Sequence, residues 1–151
     1  QGQVFLLIQG TGPNYSGHLA QLLNKQGFKA IVIDATLDGS SQSPGLLQYL
    51  EGQCQTPETS SCSGYDFLSG GGASRFAGEL LHSPQFHLLI QHYRQKYHCL
   101  IVTIKTKPHD PKAEKLLNLA DKAVITVNGE TLEELTAYTH TDKPTTFVFT
   151  L

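Results

Sequence analysis

The chain has 151 residues, a size at which one domain with a single core is the default. Eleven Lys and Arg residues against thirteen Asp and Glu give a formal net charge of -2, and no basic run is present to hold a polyanion, so nucleic acid is not expected as a partner. Apolar stretches such as VFLLI are far shorter than the roughly 20 residues that cross a bilayer, so this segment is not expected to insert into a membrane. We therefore expect one domain, 1–151. Because the sequence contains no Met, this domain is expected to be excised from something longer, and any membrane anchor would lie outside it.

Apolar runs with β-branched residues predict six strands. Most of these runs are continuous rather than alternating, as in strands that are buried on both faces of a sheet. In chain order they cover 4–8, 30–35, 65–68, 99–104, 123–127 and 146–151.

Helical periods separate these runs. The first helix is predicted to begin with Ser16 as its N-cap and to stop at Gly27. The second has Ser83 as its cap and Pro84 at its first position. The apolar stripe of this second helix is Phe86, Leu89, Ile90, Tyr93 and Tyr97. Two further helices are predicted, one beginning at Asp110 with Pro111 and the other at Thr131 with Glu134. Since strands and helices alternate, the sequence predicts an α/β fold with a doubly wound, mainly parallel sheet and helices on both faces.

The least regular segment is 38–64, which is dense in Gly, Ser, Pro and Thr around the short amphipathic piece GLLQYLEG. We interpret it as a surface excursion within one domain. The three cysteines form no CxxC pair and are expected to be free thiols in a reducing compartment. A bridge between Cys54 and Cys62 is the alternative.

A doubly wound sheet binds ligands at the carboxyl ends of its strands, which directs attention to the loops after residues 8, 34 and 104. The first loop, IQGTGPNYSGHLA at 8–20, leads from a strand through glycines into a helix, as many phosphate-binding loops do. No lysine occurs between residues 1 and 24. The candidate residues of this loop are Gly10, Thr11, Gly12, Asn14 and Ser16.

Several pieces in order resemble the cytoplasmic domain of bacterial tyrosine kinases, MinD-like P-loop proteins that partner or form part of polysaccharide co-polymerases. GFKAIVIDATLD resembles the family's GkrvLLIDaDLR, and GLLQYLEG its GLsdvLaG. The stretch from YDFLSGGG to CLIV resembles the block LdvLpaG to YDyVIiD, and LADKAVITV resembles aDgvllVv. This resemblance covers nearly all of residues 3–150 and implies a P-loop NTPase-like fold, Mg-ATP binding and autophosphorylation of a tyrosine-rich tail.

The motifs that would bind the nucleotide depart from the family pattern. A Walker A loop needs GxxxxGK[ST], and by this resemblance the present loop is about five residues too short, with Gly12 or Pro13 where the lysine and hydroxyl belong. In the Walker A' motif Asp34 keeps the first acid, whereas Thr36 replaces the second acid and Asp38 the arginine. Thr103 stands where the Walker B acid belongs, and a neutral hydroxyl cannot replace the charge of a carboxylate on Mg²⁺.

Other features admit more than one interpretation. The 8–20 loop is read as a shortened connecting turn rather than as a variant anion site, and the triple glycine 70–72 as a tight loop. For Asp34 the sequence leaves open a Mg²⁺ or water ligand and a structural acid. Lys105 and Lys107 are read as solvated loop residues, although they could supply positive charge from the other wall of the site. We expect exposed side chains, and no metal site, at His82, His87, His92 and His98.

These observations favour a catalytically inactive, kinase-like domain without catalytic residues or cofactor. It would act as a scaffold or regulatory module in the chain-length control and export of an exopolysaccharide or capsule. We expect self-association or a polysaccharide-assembly membrane protein as the partner, and a cytoplasmic location as part of an inner-membrane protein or complex. The alternatives are an active Mg-ATP-binding tyrosine kinase or ATPase with an atypical P-loop and, less favoured, a non-kinase relative with the same losses.

Overall fold

The computed structural model describes residues 2–9, 15–105, 116–127 and 145–149. The strands are β1 (Gln3–Gln9), β2 (Ala30–Asp34), β3 (Ser60–Cys62), β4 (Tyr65–Leu68), β5 (Cys99–Lys105), β6 (Lys122–Val127) and β7 (Thr145–Phe149). The helices are α1 (Ser16–Lys25), α2 (Leu46–Leu50), α3 (Ala77–Leu81) and α4 (Pro84–Lys96), and residues 116–119 are also helical. Among the residues that the structure describes, no helix has the length and apolarity to cross a membrane.

The described strands form one sheet in the order β3-β4-β2-β5-β1-β6-β7. All the pairs are parallel except β3 with β4, so the predicted mainly parallel sheet is confirmed. The six predicted strands occur at nearly the predicted bounds. Strand β3 was not predicted, because its three residues, Ser-Ser-Cys, are exposed and carry no apolar pattern.

Apolar residues pack on both faces of the sheet, because successive side chains of a strand point to opposite sides. On one face Leu7, Val32 and Ile101 contact α1 through Ala20. The opposite face carries the larger cluster, in which residues of α2 and α4 cover the strands. The predicted placement of helices on both faces is therefore confirmed.

The helix boundaries agree with the predictions except at the start of α1. There Tyr15 is the N-cap residue and Ser16 is the first residue of the helix, since the Leu19 N–H donates to Tyr15 O at 3.0 Å. The predicted N-cap at Ser16 was therefore wrong by one residue. Gly27 follows α1 with a φ of +90°, a left-handed conformation that suits glycine and ends the helix as predicted.

Helix α4 has the predicted beginning and the predicted buried stripe. The Ser83 hydroxyl accepts a hydrogen bond from the Phe86 N–H at 3.4 Å, and Pro84 occupies the first turn. All members of the apolar stripe are buried: Phe86, Leu89, Ile90, Tyr93 and Tyr97. Helix α3 was not predicted. The predicted helix starts at Asp110 and Thr131 lie outside the described residues.

At the amino edge of the sheet, an ion pair ties α4 to the strands. The guanidinium of Arg94 lies 3.2 Å from a carboxylate oxygen of Asp121 and donates to the carbonyl oxygens of Gly2, at 2.9 Å, and Leu119, at 3.1 Å. Asp121 in turn accepts a hydrogen bond from the Val4 N–H at 2.7 Å. This network fixes the edge opposite to the one at which ligands bind in such folds.

Two buried tyrosines of α4 differ in their hydroxyl partners. The Tyr97 hydroxyl donates to the carboxylate of Asp66, whereas the Tyr93 hydroxyl is buried and has no hydrogen-bond partner among the residues that the structure describes. Burial raises the pKa of Tyr93 from 10.0 to about 12, with smaller contributions from Tyr49 and Asp66. Burial also raises the pKa of Tyr97, and the hydrogen bond to Asp66 adds to the shift.

These partners predict opposite effects of removing the two hydroxyls. At pH 7 we expect Tyr93→Phe to leave the free energy of unfolding unchanged or to raise it by up to about 1 kcal/mol, because the hydroxyl is desolvated without a partner. Tyr97→Phe should lower it by about 1 kcal/mol, because the bond to Asp66 is lost. Urea denaturation of both variants measures the difference.

The raised pKa of Tyr93 predicts that the stability of the protein depends on pH. The folded protein holds the Tyr93 proton more tightly than the unfolded chain, and this difference stabilises the fold. The stabilisation is complete below pH 10.0 and is lost as the pH rises through about 12. Tyr93→Phe should therefore lose less stability than the wild type over that interval. An equal loss in both proteins would contradict the assignment.

Candidate functional site

The candidate site lies at the carboxyl edge of β2 and β5. Asp34, the last residue of β2, is directly paired with Thr103 of β5. Val32 and Ile101 belong to the apolar cluster beneath α1. Asp34 and Thr103 lie two positions further along the same two strands, so they are on the face of the sheet that α1 covers. Ser16, the first residue of α1, is buried. The structure thus brings two of the predicted Walker positions together at one edge of the sheet.

The carboxylate of Asp34 is used to hold the loop that follows β2. Its Oδ1 accepts hydrogen bonds from the Thr36 N–H at 3.1 Å and from the Thr36 hydroxyl at 2.6 Å. Its Oδ2 accepts from the Ser41 hydroxyl. Of the two interpretations that the sequence left open, these contacts favour the structural acid.

Thr36 and Asp38 continue this hydrogen-bonded loop. The Thr36 hydroxyl also lies 2.9 Å from Oδ1 of Asp38, so it stands between two carboxylates. Asp38 further accepts from the Ser40 N–H at 2.9 Å and from the Ser40 hydroxyl. Partial burial alone would raise the pKa of Asp38, but the bonds from Ser40 and Thr36 and the charge of Lys105 together lower it below its ordinary value.

Thr103, at the predicted position of the Walker B acid, is neutral and enclosed. The residue is 1% exposed, and its hydroxyl has no hydrogen-bond partner within the described part of the chain. Its backbone carbonyl accepts a bond from the Ala35 N–H at 2.9 Å, which fixes the start of the Asp34 loop. A buried hydroxyl without a partner destabilises the fold, since its hydration is lost without compensation.

The glycines 70–72 form a tight loop against α2, as predicted. The Gly70 N–H donates to the Ser41 hydroxyl at 2.7 Å, which links this loop to Asp34. Gln48 of α2 donates through Nε2 to the Gly71 carbonyl at 2.9 Å. Gly71 has a φ of +82°, and a Cβ atom there would lie 2.1 Å from Oε1 of Gln48, so another residue would be strained and would displace the Gln48 side chain. These contacts bind the loop to the protein itself.

The described residues do not fit a magnesium nucleotide. Both carboxylate oxygens of Asp34 already accept hydrogen bonds from the protein, and Thr103 provides no charge for a hard dication. No group of three or more His, Cys, Asp or Glu side chains suited to a metal ion occurs in the ranges that the structure describes. Gly10, Thr11, Gly12 and Asn14, as well as Lys107, lie outside them.

Three side chains that shape this edge were not singled out from the sequence: Ser40, Ser41 and Gln48. Ser40 and Ser41 follow Asp38 directly in DGSSQS, and hydroxyls close to an acid are the signal that could have indicated an Asp-anchored loop. Gln48 gave no such signal, because its contact with Gly71 depends on how α2 docks. The predicted exposure of the four histidines and the free state of the three cysteines are confirmed.

No protein-family model matches the sequence, and no curated protein matches it. Solved structures do match. The BceF tyrosine kinase domain has a TM-score of 0.76 at 18% identity, over 95% of this chain and 67% of that chain. The kinase domain of the Escherichia coli tyrosine kinase Etk has a TM-score of 0.78 at 19% identity, over 96% of this chain and 66% of the Etk domain. The VpsO kinase domain has a TM-score of 0.78 at 19% identity, over 97% of this chain and 84% of the VpsO domain.

The same fold extends to nucleotide-dependent proteins at lower similarity. A ParA-family ATPase from Chlorobium tepidum has a TM-score of 0.65 at 13% identity, and a MinD protein in complex with Mg-ADP has one of 0.58 at 14% identity. The chain spans about two thirds of the length of the BceF and Etk kinase domains. The protein thus has the P-loop NTPase-like fold of the MinD and bacterial tyrosine kinase type, and the predicted fold class is confirmed.

Proposed function

We propose that this chain is a kinase-like domain that does not transfer phosphate and that acts as a scaffold or regulatory module in polysaccharide assembly. The observation that carries the proposal is the buried, neutral Thr103 at the position where the resemblance expects the Walker B acid. The involvement in exopolysaccharide or capsule chain-length control and export rests on the resemblance to the co-polymerase kinases. Its partner would be a second copy of the chain or a membrane protein of that assembly.

The environment of Asp34 supports this proposal. In a magnesium site the acid must turn at least one oxygen towards the ion or its water shell. Here one oxygen of Asp34 is held by Thr36 and the other by Ser41. The carboxylate therefore stabilises a loop, and a domain that works through its shape would retain it for that purpose.

Calorimetric titration with Mg-ATP and Mg-ADP tests the absence of nucleotide binding. We expect the intact chain to show no binding or only millimolar affinity, because a triphosphate would meet the carboxylates of Asp34 and Asp38 with little positive charge to offset them. The Asp34→Asn variant should not weaken this affinity, because the proposal gives the carboxylate no part in binding, but it should unfold at lower urea concentration, since Asn lacks one of the two acceptor oxygens.

Micromolar binding that weakens in Asp34→Asn would contradict the proposal and favour the alternative, an active ATP-binding enzyme. Transfer of labelled phosphate from ATP to the protein's own tyrosines would do the same. The Glu51→Gln variant serves as the control, because it removes one negative charge from an exposed residue at the end of α2.

A further inference from the structure

The side of α4 that points away from the sheet exposes an apolar residue within an uncharged surface. Leu88 is 63% exposed, although the opposite side of the same helix is buried in the core. The exposed residues from the first position of α4 to its last turn carry no carboxylate, ammonium or guanidinium group. We call them the outer face of α4: Pro84, Gln85, His87, Leu88, Gln91, His92 and Gln95. Helices α1 and α3, by contrast, each expose a charged residue, Lys25 and Glu79.

Four residues run along the centre of the outer face. Pro84, Leu88, Gln91 and Gln95 are separated by four, three and four positions, which places them on one side of the helix. This is the spacing of residues through which two helices pack along a seam. In an antiparallel pair of identical helices, Leu88 would lie opposite Gln91 of the second copy, and Pro84 opposite Gln95, because both pairs are symmetric about the same point.

The chemistry of the outer face favours a second copy of the chain as its partner. In a two-fold contact the same surface patch is used by both subunits, so a charge near the axis would meet its own copy. A glutamine amide has both a donor and an acceptor, so the amides of two copies can bond to each other. The charged residues of α4 do not disturb such a contact. Arg94 is paired with Asp121 at 3.2 Å, and Lys96 is the last residue of the helix.

We propose that two copies of this chain associate through the outer face of α4, with Leu88 next to the two-fold axis. This inference rests on the proposed scaffold function and names the surface through which the chain self-associates. A single helix of 13 residues from each copy gives a small interface, so the association is reversible and weak. It is also nearly independent of salt, because no ion pair contributes to it.

Sedimentation equilibrium of the intact chain, at low and at high salt, measures the association. We expect a monomer–dimer equilibrium in the wild type with the same dissociation constant at both salt concentrations. Leu88→Glu should weaken the dimer by at least about tenfold, because it removes the central apolar contact and brings two like charges together. Gln91→Glu should also weaken it, since the charge then lies on the same seam. Circular dichroism establishes that each variant is folded.

Leu22→Glu is the matched control, because it makes the same change at a leucine of α1 that is 59% exposed. It should associate as the wild type does. Leu88→Lys should be monomeric like Leu88→Glu, whereas a mixture of these two variants should associate again, now in a salt-dependent manner, since opposite charges meet at the axis.

The inference is overturned if the wild type remains monomeric up to about 1 mM, the weakest association that such an experiment would resolve. It is also overturned if Leu22→Glu weakens the dimer as much as Leu88→Glu, if Leu88→Glu leaves the dimer intact, or if the mixture stays monomeric. Micromolar Mg-ATP binding by the wild type would instead contradict the proposed function, and it is measured independently of the dimer. Failure of the two proposals can therefore be distinguished.

Discussion

Replacing Thr103 by aspartate is expected to lower the free energy of unfolding by about 3–5 kcal/mol, although this substitution introduces the acid that the Walker B motif has. Thr103 is 1% exposed, so a carboxylate there would lose its hydration without a partner among the described residues. It would also stand directly beside Asp34 on the neighbouring strand. Urea denaturation at pH 7 measures the loss, which should become smaller at acidic pH as the new carboxyl is protonated.

The control variant is Thr103→Val, which has nearly the same shape and no hydroxyl. We expect it to raise the free energy of unfolding by about 1 kcal/mol, because it removes a buried polar group that has no partner in the part of the chain that the structure describes. The two substitutions therefore act in opposite directions at one position. If Thr103→Asp were tolerated as well as Thr103→Val, the pocket would accept a charge, and the central support for an inactive domain would be lost.

The second large effect is expected at Gly45, immediately before α2. A Cβ atom at this position would lie 2.2 Å from the carbonyl oxygen of Ser69, a distance at which backbone must move. That oxygen accepts the Leu46 N–H at 2.8 Å, and the Gly70 carbonyl accepts the Leu47 N–H at 3.0 Å. We expect Gly45→Ala to cost about 3 kcal/mol, because α2 would be pushed off the glycine loop. Urea denaturation measures the cost.

Gly52 offers the matched control at the other end of α2. It has a φ of +81°, and a Cβ atom there would have no atom within 4 Å. Gly52→Ala therefore adds backbone strain of about 1 kcal/mol and no steric overlap. Equal losses in the two variants would mean that the contact between Gly45 and Ser69 does not hold α2 in place.

The parts of the fold that the sequence predicted are those that follow from local patterns. Continuous apolar runs indicated the buried parallel strands, and Ser83 with Pro84 indicated the start of α4, because both depend on residues that are neighbours in the chain. The N-cap of α1 was displaced by one residue, which is a common uncertainty at helix ends. Strand β3 could not be predicted, since three exposed polar residues become a strand only through pairing with β4.

The assignment of the candidate site to nucleotide-binding motifs stays a prediction, and the interactions within the site were not predicted. The Walker positions Asp34, Thr36, Asp38 and Thr103 could be assigned by resemblance, and the structure brings Asp34 and Thr103 into direct pairing. The bonds from Ser41 and Thr36 that hold Asp34 depend on the path of the loop. That path includes the buried Leu37 at a φ of +49°, a conformation that a branched residue rarely adopts and that no sequence pattern indicates.

The brevity of β3 has a consequence for the behaviour of the protein at high concentration. An outer strand with many unpaired N–H and C=O groups is a template on which other chains can add strands and aggregate. Here the strand at that border has three exposed residues, two of them serines, and therefore offers few groups for such addition. Uncontrolled growth of the sheet from that side into larger aggregates is accordingly disfavoured.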